Sequence, residues 1–260
     1  MLTTREQKSS RKATLYISWV AATGLTVFAT GVTPWQSTGM GRFVAFLFVA
    51  QLVSTQKISL PGMRGTLSPS FLFMLIGIAD FSLAETLVLG CTAAFVQTLW
   101  RAKQPPHFEQ VIFNISTLVM CAAFSGWLSH KILFLTHTSS PFVLVAMAAF
   151  LFLLLNTALV SVVVSLTEEK PLRKEWAQCF YWSFPYFFAG TLAAMAVSAL
   201  SRSGGWPSGL LVLPLIYLCH FWYKVHVANT ARTEAFLDRV GDNTGVPSAS
   251  EEEYAAEVHS

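Results

Sequence analysis

Residues 68–90 read SPSFLFMLIGIADFSLAETLVLG, and whether the apolar run inside them crosses a membrane decides the topology of all that follows. Ser68 is a good helix N-cap, and Pro69 suits the first helical position, where its missing N–H costs nothing. The apolar stretch 69–79 reaches only about 18 Å at 1.5 Å per residue, short of a hydrocarbon core of about 30 Å. Either the preceding polar link enters the membrane region inside the protein, or this segment is re-entrant. The next helix is announced by Ser82-x-x-Glu85, a capping box in which hydroxyl and carboxylate each satisfy the other residue's backbone amide. Glu85 then also faces the positive end of the helix dipole. Asp80 is not used by this motif, and an acid among apolar segments is a functional candidate.

Working outward, the whole chain has the same apolar character. Of its 260 residues 53% are hydrophobic and 12% charged, with 21 phenylalanines and a mean hydropathy of +0.53. A soluble domain carries about 25% charged residues. This composition belongs to an integral membrane protein, and it excludes nucleic-acid binding, for which no basic stretch with interleaved aromatics is present. Apolar segments fall at 14–33, 40–55, 69–79, 83–100, 108–128, 141–166, 176–200 and 206–223. The expected architecture is therefore an all-α, polytopic helical bundle of about eight membrane segments, one of them short. The first segment follows Arg5, Lys8, Arg11 and Lys12 and is as long as a spanning helix, so it reads as an uncleaved signal anchor.

Charge settles which side is which. With eight crossings and a cytoplasmic N-terminus, fourteen of the 17 basic residues lie on the cytoplasmic side and only Arg42, Lys131 and Arg202 lie opposite. If 69–79 does not cross, the split becomes eight against nine. The positive-inside rule selects eight crossings in a bacterial inner membrane with both termini cytoplasmic. Trp100, Trp176, Trp206 and Trp222 then lie near the interfaces, where aromatic residues gather.

The expected domains are a basic N-terminus (1–13), the bundle (14–223), a cytoplasmic helix (224–240) and an acidic disordered tail (241–260). Within WYKVHVANTARTEAFLDRV, residues 222–240, Tyr223, Val227, Ala231, Ala235 and Val240 recur at near-helical spacing. Such a stripe suits a homodimer or a cytoplasmic partner, and equally an interfacial continuation of the last membrane helix.

Three stretches carry a family likeness: LPGMRGTLSPSFLFMLIGIADFSLAETLVLGCTAAFVQTLW, FEQVIFNISTLVMCAAFSGWL and LFLLLNTALVSVVVSLTEEKPLRKEW. A short helix after a polar link comes first, then a helix starting near Phe-Asn and one with an internal Asn-Thr. A basic loop ending in Trp closes the series. In this order, over residues 40–230, they resemble the N-terminal membrane region of bacterial cyclic-dinucleotide signalling proteins with HD-GYP or GGDEF output domains. The resemblance implies a sensor or anchor. It carries no nucleotide chemistry, because the 37 residues after Tyr223 hold neither output motif.

Polar residues inside the bundle are the candidate ligand-binding positions: Gln97, Asn114, Asn156, Trp182, Tyr186 and Asp80. Interhelical hydrogen bonding is the simpler role for the amides, at about 0.6 kcal/mol each in measured bundles. Pro185 and Pro214 are expected to bend their helices and open space. EEKPLR, residues 168–173, matches the glutamate pattern of intramembrane CAAX-type proteases, but Pro171 and the adjacent lysines make it a solvated turn. The pairs His130/His137 and His220/His226 are spaced too widely for a metal site on one helical face. Asn114-Ile115-Ser116 is a glycosylation sequon only formally, since it lies within a membrane segment. Cys91, Cys121, Cys179 and Cys219 all fall in apolar runs and read as small buried hydrophobes.

The expected function is a non-catalytic, multi-pass sensor or anchor of a bacterial signalling system that relays a signal to a cytoplasmic partner. No cofactor or metal is expected. A substrate-binding transport component, taking a vitamin-like small molecule, is the alternative.

Overall fold

The computed structural model describes residues 4–37, 39–56, 58–59, 66–67, 69–100 and 106–209, with positions 217, 218, 221, 222, 225, 226, 229 and 233 beyond them. Seven helices form a bundle: α1 (Thr4–Val32), α2 (Met40–Ser54), α3 (Ser70–Asp80), α4 (Leu83–Leu99), α5 (Phe108–Leu135), α6 (Pro141–Glu168) and α7 (Leu172–Gly204). A short α8 (Trp206–Gly209) follows. Positions 217, 218, 221 and 222 of the expected eighth segment are also helical. The stripe Tyr223, Val227, Ala231, Ala235 and Val240, and the acidic tail, lie outside the described residues.

Among the described residues four stretches are long and apolar enough to cross a membrane: Arg11–Val32, Phe108–Leu135, Pro141–Glu168 and Leu172–Gly204. Met40–Ser54, Ser70–Asp80 and Leu83–Leu99 are apolar but shorter. Large apolar side chains such as Leu25, Phe48, Phe134, Phe150 and Phe188 point outward, the pattern of helices that are hydrophobic on every face because lipid surrounds them.

Two local departures from the sequence reading have simple causes. The link before α3 is not wholly irregular: β1 (Ile58–Ser59) pairs antiparallel with β2 (Thr66–Leu67), matching Ile58 to Leu67 and Ser59 to Thr66. Backbone close to a bilayer must find hydrogen-bond partners, and a ladder supplies them. Helices α1, α5 and α7 also outrun their apolar segments, because backbone hydrogen bonding does not stop where hydropathy falls. Thus α1 begins at Thr4 and α5 continues through Ser129, His130 and Lys131 to Leu135. Pro185 sits inside α7, and the helix runs through it.

Contacts between helix ends fix their directions. Ser37, after α1, reaches Glu85 at the start of α4. Arg42 at the start of α2 and Arg202 near the end of α7 both pair with Asp80 at the end of α3. His130, late in α5, meets the Ile78 carbonyl. At the other end, Ser70 at the start of α3 bonds Gln97 late in α4, and Asn114, early in α5, bonds Thr98. Trp176, early in α7, bonds Thr157 in the second half of α6. Consecutive helices from α1 to α7 therefore alternate in direction, α3 included. The end that holds Arg42, Lys131 and Arg202 is one end of the bundle.

The shortest of the seven lies at the centre. Every residue of α3 from Ser70 to Ile78 is buried, and the helix touches α2, α4, α5, α6 and α7. Small residues allow these approaches. A side chain at Gly190 of α7 would run into the Phe71 ring, one at Gly24 of α1 would strike Ser116 of α5, and one at Gly77 would meet Thr86 of α4 at 2.9 Å. Where lipid is as apolar as leucine, such close packing is what drives helices together.

Candidate functional site

A helix that ends inside a protein leaves its last carbonyls without partners, and α3 ends beside other helices. Phe81 N–H donates to Gly77 O at 2.9 Å. His130 places Nε2 3.1 Å from Ile78 O, a bond that requires the ring proton on that nitrogen. Arg202 donates from Nη2 to Ala79 O at 3.4 Å. Side chains from α5 and α7 thus complete the C-terminus of α3, and cations there also oppose the negative end of its dipole.

Asp80 lies at the middle of this arrangement. Its side chain is 6% exposed. Arg202 donates to Oδ1 from Nη2 at 3.0 Å and from Nε at 3.3 Å, and the Nη2 of Arg42 stands 3.5 Å from Oδ2. Within the described residues Oδ2 accepts no hydrogen bond, and Arg42 Nε donates none. Arg42 instead lies over the Phe81 ring at 4.8 Å and the Phe46 ring at 5.9 Å, with Phe81 and Phe46 edge to face at 5.5 Å. One buried carboxylate thereby ties α2 and α7 to the end of the central helix. Low dielectric strengthens such a pairing and penalises its loss.

Glu85 is fully buried a few residues away. Both halves of the expected capping box are formed: Glu85 N–H donates to Ser82 Oγ at 3.3 Å, and Ser82 N–H donates to Glu85 Oε2 at 3.0 Å. Ser37 Oγ donates to Oε1 at 3.4 Å. The expected start of α3 is shifted by one residue. Pro69 occupies the N-cap position with no side-chain cap, Ser68 is outside the described residues, and Ser70 directs its hydroxyl to Gln97 Oε1 at 3.2 Å.

Four of the six residues singled out from the sequence are divided between the two ends of α3. Gln97 and Asn114 lie near the start of α3 and α5, and Asn114 Nδ2 donates to Thr98 Oγ1 at 3.3 Å. Tyr186 joins them through Phe71, with ring centroids 5.6 Å apart. Asn156 is half-buried on α6 and Trp182 half-buried on α7. Asp80 is at the opposite end of α3 from Gln97. Sequence reasoning missed Arg42 and Arg202, counting them only as loop charges. Their rarity was the available signal, since they are two of the three basic residues assigned to that side.

The motifs set aside behave as structure. Glu168 to Lys170 is a turn, with Glu169 left-handed at φ 55° and Lys170 paired with Glu168 at 3.0 Å and Glu175 at 3.7 Å. The hydrogen bond to Glu168, then the Glu175 charge, hold Lys170 above its ordinary pKa. Cys121 and Cys179 are buried, Cys91 is half-buried, and all three are free; Cys219 lies outside the described residues.

The Asp80 arrangement joins α2 and α7 to the end of α3. A family model, MASE9, of membrane-associated sensor domains, matches residues 18–228 of the chain. No curated protein and no solved structure matches it.

Proposed function

The chain belongs to the MASE9 family of membrane-associated sensor domains, and from that premise we propose that it is the sensor or anchor module of a bacterial signalling system. It acts without catalysis and passes its signal to a cytoplasmic partner whose output is of the HD-GYP or GGDEF type. The observation that carries the reading is the Asp80 latch, which joins α3, buried from Ser70 to Ile78, to α2 and to α7. Helix α7 leads through α8 toward the C-terminal segment. A stimulus that opens or tightens the latch therefore acts on the element nearest the exit from the bundle.

In this reading the protein lies in the inner membrane with both termini in the cytoplasm. The alternation of α1 to α7 supports it: with 206–223 as an eighth crossing, fourteen basic residues fall on the cytoplasmic side and three opposite. The short helices cross because neighbouring protein and the β1–β2 link cover what lipid cannot.

The relay requires residues 222–240. In-membrane crosslinking of the full chain is expected to trap a dimer, and deletion of 222–240 is expected to weaken it. Crosslinking unchanged by that deletion contradicts the relay.

A further inference from the structure

We propose that the sensor takes a single-chain amphiphile with a carboxylate head, a long-chain fatty acid, in the groove between α6 and α7. The inference rests on the sensor reading above and names the ligand class of its latch. The groove has a volume of about 370 Å³, within the range of small-molecule sites. Phe142 and Val145 of α6 and Met195 and Ala199 of α7 make it apolar, and among the described residues Arg202 is its only charged lining residue. Ser198 also lines it, and the buried hydroxyl of that residue has no hydrogen-bond partner among the described residues. Phe142 is half-exposed on the outer rim, so the groove is open to the side, where a chain enters from the bilayer.

The chemistry of the head follows from Arg202. Its side chain is 46% exposed, and its Nε and Nη2 are turned to Asp80 and Ala79. A guanidinium has five donors, and among the described residues Nη1 has no protein partner, which leaves that edge for a second anion. A carboxylate is the group that Arg202 already holds, and Nη1 can donate a charge-assisted hydrogen bond to a second one. One cation and one apolar groove fit one head and one chain, as opposed to a two-chain lipid. A ligand carboxylate sharing Arg202 draws it away from Asp80 and loosens α7 from the end of α3. Occupancy is in this way coupled to the latch.

The test uses the full chain in phosphatidylcholine nanodiscs with radiolabelled oleate. Saturable binding is expected. Ala199→Phe, which fills the groove from a half-buried position, is expected to weaken it by about tenfold or more, as is Arg202→Gln. Oleyl alcohol and phosphatidylglycerol are each expected to compete at least about tenfold less well than unlabelled oleate. If Ala199→Phe fails to fold, Ser203→Phe on the exposed rim replaces it. The proposal is overturned by absence of saturable binding, by binding that survives both the groove and the Arg202 substitutions, or by equal competition from oleyl alcohol. Equal competition from phosphatidylglycerol overturns it too, because the bilayer itself then supplies the ligand. Should oleate fail while deletion of 222–240 still weakens dimer crosslinking, this inference falls and the sensor reading stands; the opposite pair of results leaves oleate bound in the groove and removes the relay.

Discussion

Asp80 and Glu85 lie five residues apart, both acids in an apolar chain, and their surroundings give them different work. Glu85 is engaged chiefly by local geometry: Ser82 and its own helix start take Oε2, while Ser37 donates to Oε1. Asp80 has no local motif and is met by cations from helices distant in sequence. The first pairing was legible because a capping box spans only four residues. The second was not, because no spacing rule links residues 42, 80 and 202. Replacing Ser82 by Ala is expected to cost about 1 kcal/mol, the usual loss for an N-cap. Asp80→Asn leaves two guanidiniums without their counter-charge; because Arg202 is half in solvent, the loss is expected at about 1–3 kcal/mol, below that of a fully buried pair. Thermal unfolding in detergent measures both. In the same assay Arg202→Gln is expected to cost less in an Asp80→Asn background than alone, and strictly additive losses would show that the pair is not coupled.

Among the elements, α3 is the one whose sequence and structure differ most in meaning. Its length of 11 residues marks it as too short for lipid and by itself leaves open whether it crosses; in the sequence only the charge split argued that it does. Burial from Ser70 to Ile78 resolves its surroundings: protein, not lipid, covers it there, and its terminal carbonyls find His130 and Arg202 in place of water. The helix boundaries were readable to within a residue or so for α2, α3 and α4, where polar turns bracket the apolar run. They were not for α1, α5 and α7, where the helix continues into polar sequence. Close packing of α3 on α7 depends on Gly190, whose missing side chain makes room for Phe71. Gly190→Ala is expected to destabilise by about 1–3 kcal/mol through overpacking. Gly41→Ala, where nothing lies within 4 Å, is expected to be neutral or stabilising by up to about 1 kcal/mol, since alanine is the better helix former. Equal effects of the two substitutions on thermal unfolding would mean that the approach of α3 to α7 is not tight.

For the molecule as a whole, composition was enough to place it in a membrane, because 12% charged residues cannot cover the surface of a soluble bundle. The sensor reading came from the order of three sequence stretches, and the family match supports a membrane sensor module. The central claim is that α3 crosses, so that the latch faces away from the cytoplasm. The most direct measurement introduces single cysteines at Gln36, Ser139 and Lys170 in a background lacking the natural ones, and labels intact cells with a membrane-impermeant maleimide. Four helices, α2 to α5, separate Gln36 from Ser139, so if all cross, the two positions share a side. The account predicts that Gln36→Cys and Ser139→Cys are both labelled from outside and that Lys170→Cys reacts only after permeabilisation. Labelling of one of the first two without the other would contradict it, and so would labelling of Lys170→Cys in intact cells.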